Sequence, residues 1–194
     1  MAKKDLNQNG IYVQKLIDII EPNFAFSDNP INRFKIIESS KNQINHSKNE
    51  KLLKLKEKIS SIKDCNLKKN SKKLIFGDGN INSPVMLIGE SPGKIEDNSG
   101  LSFQGEVGDL LNKMLLAIDI KINEIYSTYS VNFRPPEDRK PTGQEIKRYS
   151  EFLKEHISII DPQIIILMGS TAMEAITGLN SKISNERGKW KEII

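Results

Sequence analysis

Residues 84–117, PVMLIGESPGKIEDNSGLSFQGEVGDLLNKMLLA, decide how the chain is read. They open with a short apolar run, residues 85–88, bounded by turn residues, which fits a buried strand. Gly89-Glu90-Ser91-Pro92-Gly93 ends that strand abruptly. A loop of acids and glycines follows, and an amphipathic helix is predicted to begin near Gly108. In open α/β sheets, ligands bind where loops leave the carboxyl ends of strands. This loop carries Glu90, Glu96, Asp97 and Phe103 to that place. Carboxylates, an aromatic ring and a glycine-rich turn thus converge on one candidate site.

Downstream, Leu110, Leu111, Met114, Leu115 and Ile118 form a helical stripe, read as core. Residues 125–131 (IYSTYSV) read as a second strand, stopped by Pro135 and Pro136. Thr142 and Glu145 have capping-box spacing, three apart. The helix behind them carries Ile146, Tyr149, Leu153, Ile157 and Ile160. Residues 163–168 (QIIILM) form a third, apolar strand, followed by a short helix at 171–176 that Gly178 can end. Strand, helix, strand, helix, strand, helix argues for a parallel sheet with right-handed crossovers. Three strands would leave residues 164–167 with one side unpaired. The last residues, WKEII, look like the start of a further strand, so the expectation is a shortened version of something longer.

Upstream, Val13, Leu16, Ile17 and Ile20 suit a short helix limited by Pro22. A helix around 32–38 and a linker are expected next. A second helix over 50–63 carries Leu52, Leu55, Ile59 and Ile62 on one stripe. Residues 65–73 read as a polar connection, and 74–80 as a short strand ending in a turn. The expected division is a helical extension and basic linker over 1–64, then an α/β domain over 65–194.

The chain has 194 residues, 37% apolar and 28% charged, enough for one real core. No run of about 18 apolar residues marks a membrane span. The first ten residues are charged with no apolar region behind them, so they do not read as a secretory signal. One cysteine, Cys65, excludes an internal disulfide framework and any site needing several thiolates. The expected state is a cytoplasmic monomer without membrane contact. Net charge is +4, unevenly placed: residues 41–73 hold eleven lysines against Glu50, Glu57 and Asp64, which leaves the rest acidic. A basic segment beside an acidic site suits a polyanion gripped in one place and cut in another. A solvated helix face is the alternative.

Three motifs together resemble the family 4 uracil-DNA glycosylases. They are Gly89-Glu90-Ser91-Pro92-Gly93 with Glu96-Asp97 and Gly100-Leu101-Ser102-Phe103-Gln104-Gly105; Arg134-Pro135-Pro136-Glu137-Asp138-Arg139; and residues 164–169 with Arg187-Gly188 beyond. The resemblance implies a three-layer α/β/α fold with a short parallel sheet. It also implies a base-excision-repair enzyme that hydrolyses uracil from DNA after flipping the base out of the stack. Phe103 matches the family's base-stacking ring, with a core position as the alternative. Glu96 and Asp97 match its acidic pair, of which Glu96 is favoured for stabilising the sugar and orienting water. Backbone N–H groups of Glu90 and Ser91 match those that bond the uracil carbonyls. Gly93 and Gly105 admit close backbone approach, or are turn glycines. Arg134 and Arg139 are expected near DNA, in a phosphate contact or a surface salt bridge. His156 is read as structural.

Three departures stand out. The family holds a [4Fe–4S] cluster on four cysteines; here Cys65, Lys68, Phe133 and Ser150 occupy the matching positions. Lysine and phenylalanine do not ligate iron, so no cluster and no metal is expected, with Phe133 filling the space. The family's uracil-reading Asn is replaced by Tyr129, whose phenol has one proton and greater bulk. A reshaped pocket for another damaged base, or a DNA-binding module without catalysis, are the alternatives. The family's His-Pro-Ser motif lies beyond residue 194. Its leaving-group hydrogen bond is worth ~2.7–4 kcal/mol by analogy with other anion-binding donors.

Overall fold

The computed structural model describes residues 33–179 and 181–193, with side chains from residue 45 onward. The helix expected over residues 11–20 lies outside the described residues. The chain divides into two units, Met1–Lys41 and Asn42–Ile194.

The centre of the second unit is a four-stranded sheet in the order β1-β3-β2-β4. The strands are β1 (Asp78–Gly79), β2 (Val85–Gly89), β3 (Tyr126–Tyr129) and β4 (Ile164–Leu167). β2 runs parallel to both β3 and β4, with Gly89 opposite Tyr129 and Ile88 opposite Leu167. β1 is only two residues long and pairs antiparallel with β3. The sheet is therefore mixed, where sequence reasoning gave an all-parallel one. The strand expected over 74–80 shrinks because Ile75 bonds past the end of β3, its N–H donating to the Asn132 carbonyl at 2.9 Å.

Side chains alternate across β2 as a pleated strand requires. Met86 and Ile88 face α5 (Gly143–Ile160) and α6 (Ser170–Thr177), where Ile146, Leu153, Ile160, Ala172 and Ala175 are buried with them. Leu87 faces α4 (Gly105–Leu116) and packs with Leu111 and Leu115. Helices thus cover both faces in three layers. The chain leaves β2 for α4 on one face and β3 for α5 on the other. The crevice between the carboxyl ends of β2 and β3 is the place where such sheets bind ligands.

The capping box of α5 forms as the spacing predicts. The Thr142 hydroxyl accepts from Glu145 N–H at 3.3 Å, and a Glu145 carboxylate oxygen accepts from Thr142 N–H at 2.7 Å. His156 is buried within this helix. Along α4, however, the buried side chains of the stripe are Leu111 and Leu115 alone. Leu110, Met114 and Ile118, expected in the core, are at least 60% exposed.

α1 is one helix, Arg33–Ser60, not two helices joined by a linker. Its stripe Leu52, Leu55 and Ile59 is buried. Leu55 and Ile59 pack with Cys65, Leu67, Val131, Phe133 and Tyr149. The basic stretch is thus bound to the α/β core by its apolar side. The connection expected over 65–73 contains a short helix, α2 (Asn66–Asn70), anchored by fully buried Leu67. β4 is a sheet edge, with Ile164 and Ile166 exposed. The final residues, through 193, form no regular strand.

Candidate active site

The loop leaving β2 folds into a short helix, α3 (Lys94–Ser99), and then a turn that delivers Phe103 back over the sheet. Such a loop has backbone N–H groups that no helix or strand satisfies, and buried ones need acceptors. Side chains supply them. One Glu96 oxygen accepts from Gly93 N–H at 3.0 Å, and the other accepts from Gln104 N–H at 3.0 Å. Asp78 accepts from the Ser102 N–H at 2.7 Å and the Ser102 hydroxyl at 2.8 Å. Phe103 N–H donates to the Tyr129 hydroxyl oxygen at 2.8 Å. Three successive amides, 102 to 104, are thus each held by a different side chain.

Gly89 makes the crevice possible. A Cβ there would lie 2.8 Å from ring carbons of Tyr129 and 2.9 Å from Cζ of Phe103. Gly108 is as tightly required, because its Cβ would fall 1.8 Å from the Phe103 carbonyl oxygen. Phe103 itself takes a left-handed backbone, φ +48°, which an aromatic residue adopts only when its surroundings hold it there.

The structure brings Glu96, Phe103, Gly89 and Tyr129 together at the end of β2. Phe103 is only 6% exposed and packs with Leu87, Leu111 and Leu115, so it is a core side chain here. Tyr129 stacks on it with ring centroids 4.8 Å apart and planes 26° apart. Burial pushes the Tyr129 phenol up, against the Phe103 N–H that lowers it and with the charges of Glu96 and Asp78 raising it further.

Asp97 faces away from this pair. Its Oδ1 accepts from the Ser71 hydroxyl at 2.6 Å, Lys72 N–H at 2.8 Å and Lys73 N–H at 3.1 Å. Burial opposes its ionisation most, yet the Ser71 hydroxyl, the two amides and the Arg134 charge together hold its carboxyl below the usual range. Asp97 thus fastens the 71–73 segment, and of the acidic pair Glu96 is the member beside the aromatic rings.

Glu90 and Ser91 are half-buried at the end of β2. Among the described residues, their backbone N–H groups find no acceptor. Gly93 gives its own N–H to Glu96. Gly105 (φ +68°) is a turn glycine whose Cβ would lie 2.5 Å from Ile95 Cδ1. Both arginines are paired in surface salt bridges, one of the two arrangements expected for them. Arg134 binds Asp138 through two bonds of 2.6 and 2.8 Å. Arg139 binds Glu145 through two of 2.8 and 2.9 Å, and the hydrogen bond from Arg139 draws the Glu145 carboxyl down to about 2.

The four positions that match cluster ligands do not suit iron. Cys65 Sγ lies 3.2 Å from the Tyr149 hydroxyl. Lys68 Nζ donates to the Ser60 carbonyl at 2.5 Å, and the Ser150 hydroxyl donates to the Lys147 carbonyl at 2.8 Å. Phe133 is 4% exposed, edge-on to Tyr149 at 6.5 Å. An apolar cluster fills the space. Among the described residues, no group of three or more His, Cys, Asp or Glu could hold a metal ion.

Sequence reasoning missed Asp78, Ser102 and Ser127, which form one network: half-buried Asp78 bonds two buried hydroxyls that are 2.7 Å apart. The available signal was an acid between two glycines, Gly77-Asp78-Gly79, at the start of a strand.

Comparison with known proteins agrees with this placement. Residues 76–194 match the family described as the uracil DNA glycosylase superfamily. The chain is 33% identical to a type-4 uracil-DNA glycosylase of Thermotoga maritima, covering 68% of this chain and 69% of that protein. It is 32% identical to one of Archaeoglobus fulgidus, covering 74% of each. It is 35% identical to one of Sulfurisphaera tokodaii, covering 73% of this chain and 68% of that protein.

Proposed function

Because the chain belongs to the uracil DNA glycosylase superfamily, we propose that it is a DNA-repair glycosylase that hydrolyses the bond between uracil and deoxyribose. The observation that carries the mechanism is the Glu96 carboxylate. It is 7% exposed, fixed by Gly93 and Gln104 N–H groups, and set beside the aromatic pair at the end of β2. As the bond to the sugar lengthens, its electron pair leaves with the base and positive charge grows at the anomeric carbon. A fixed carboxylate stabilises that charge without reorganising. Each Glu96 oxygen has a lone pair left to orient a water. The water's oxygen bonds to the anomeric carbon and its proton passes to the carboxylate or the departing base. The N–H groups of Glu90 and Ser91 support recognition of the base's carbonyls. No step uses an iron–sulfur cluster, and we propose that the chain has dispensed with one. Phosphate contacts fall to exposed lysines around the loop such as Lys94.

The test is release of uracil from a single-stranded oligonucleotide by the wild-type chain and by Glu96→Gln. We expect excision by the wild type and a loss of 10²-fold or more in the variant, in the range for a positioned acid or base. Equal rates would remove Glu96 from the mechanism. Wild-type release no faster than in protein-free buffer would overturn the enzyme reading in favour of a DNA-binding module.

A further inference from the structure

The aromatic stack raises a question of occupancy. A flipped base resting on Phe103 needs one ring face and the layer above it. Tyr129 fills that layer, with its ring centroid 4.8 Å from that of Phe103. Close-packed carbon surfaces stand about 3.5–4.0 Å apart, so phenol and base do not share the slot. The phenol oxygen accepts the Phe103 N–H at 2.8 Å, just as a pyrimidine carbonyl would. Gly89 beneath has no side chain, and both rings close over it. We propose that Tyr129 occupies the seat of the flipped base, and that a base enters only by displacing it.

This rests on the glycosylase reading and adds a residue that governs entry to that site. The backbone of Tyr129 is not what moves. It is opposite Gly89 in the sheet, and Ser130 bonds to the Gly89 carbonyl through both its N–H (2.9 Å) and its hydroxyl (2.8 Å). Opening is a side-chain rotation that breaks one stack and frees one N–H. That freed N–H and the exposed Phe103 face are then satisfied by the incoming base. Tyr129 therefore lowers affinity for the base by the work of its own displacement and keeps the pocket shut in its absence.

Free uracil is the probe, because its binding requires no turnover. Calorimetric titration of the full chain should show Tyr129→Phe binding uracil roughly fivefold more tightly than wild type, the value of one lost hydrogen bond. Tyr129→Ala, which also removes the stack, should bind at least about tenfold more tightly. A cooperatively melting Tyr129→Ala variant with wild-type or weaker affinity overturns the proposal. If that variant does not melt cooperatively, Tyr129→Phe decides: affinity no better than wild type overturns it, and tighter binding supports it. Excision by wild type with unchanged uracil affinity in the variants sinks the displacement proposal alone. Tighter uracil binding with no excision sinks the glycosylase reading alone.

Discussion

Lowering the pH from about 7.5 to about 5 should cost the fold roughly 2 kcal/mol, with His156 as the cause. The side chain is 1% exposed on the inner face of α5. It stacks on Phe76 at 4.4 Å, and its Nε2 lies 2.8 Å from the Tyr126 hydroxyl. Burial strips the imidazolium of water and brings its pKa from 6.5 down to about 4. Above pH 6.5 the imidazole is neutral in both folded and unfolded chains, and stability is at its full value. As pH falls through 6.5 the unfolded chain takes up a proton that the folded chain refuses until about pH 4. Stability therefore declines across that window. Integrated to about pH 5, the difference amounts to ~1.5 pH units, and at about 1.36 kcal/mol each to roughly 2 kcal/mol. Glu145, Asp97 and Asp138 all have depressed carboxyl values, so their losses come lower, below about pH 4.5. Urea unfolding at several pH values, on wild type and His156→Gln, measures the effect. The wild type should lose stability from about pH 6.5 downward, and the variant should be nearly flat to about pH 5. A flat wild type, or an equal decline in the variant, refutes the reasoning.

Gly89→Ala places a methyl group 2.8 Å from the Tyr129 ring. It should destabilise by about 1–3 kcal/mol, read as a lower Tm with a changed near-ultraviolet aromatic signal. Asp97→Asn removes the charge that holds Ser71, Lys72 and Lys73. Hydrogen exchange at the Lys72 and Lys73 amides should quicken and stability fall by roughly 2 kcal/mol, while uracil release falls far less than in Glu96→Gln. Glu145→Ala removes a cap and the Arg139 pair. It should cost about 1 kcal/mol near pH 7. The Glu145 carboxyl is depressed to about 2, so this contribution is complete above about pH 4.5 and fades toward pH 2; urea midpoints of variant and wild type should converge there.

Local patterns announced much of this fold. The run at 85–88, the Thr142–Glu145 box and the stripe Leu52-Leu55-Ile59 each write one element in a few residues, and each forms. What failed depended on neighbours far away in sequence. In α4 the period was right and the expected stripe too broad: Leu110 and Leu111, like Met114 and Leu115, are adjacent apolar pairs. Only the position of the sheet selects Leu111 and Leu115 as the inner members. Between residues 39 and 50 no apolar stripe marks α1, but no proline or glycine interrupts it either, so the helix runs on. β1 is a strand only because β3 offers it a partner, which no count of its own residues reveals.

The acids of the central loop show why residue types located the site without assigning its roles. An irregular loop rich in glycine leaves amides that must find acceptors when buried. Aspartate and glutamate are strong acceptors, so such a loop recruits carboxylates whether or not it does chemistry. Asp78, Glu96 and Asp97 are all used this way. Only direction separates them. Asp97 spends one oxygen on three donors in a segment behind the loop. Asp78 closes a network with the buried hydroxyls of Ser102 and Ser127. Glu96 alone divides its two oxygens between the ends of the loop, with its charge acting on the Tyr129 hydroxyl. A carboxylate held at both ends beside a displaceable ring is already oriented when that ring leaves. The same bonds that fold the loop thus preorganise the acid, and Glu96→Gln is expected to cost activity well beyond what it costs stability.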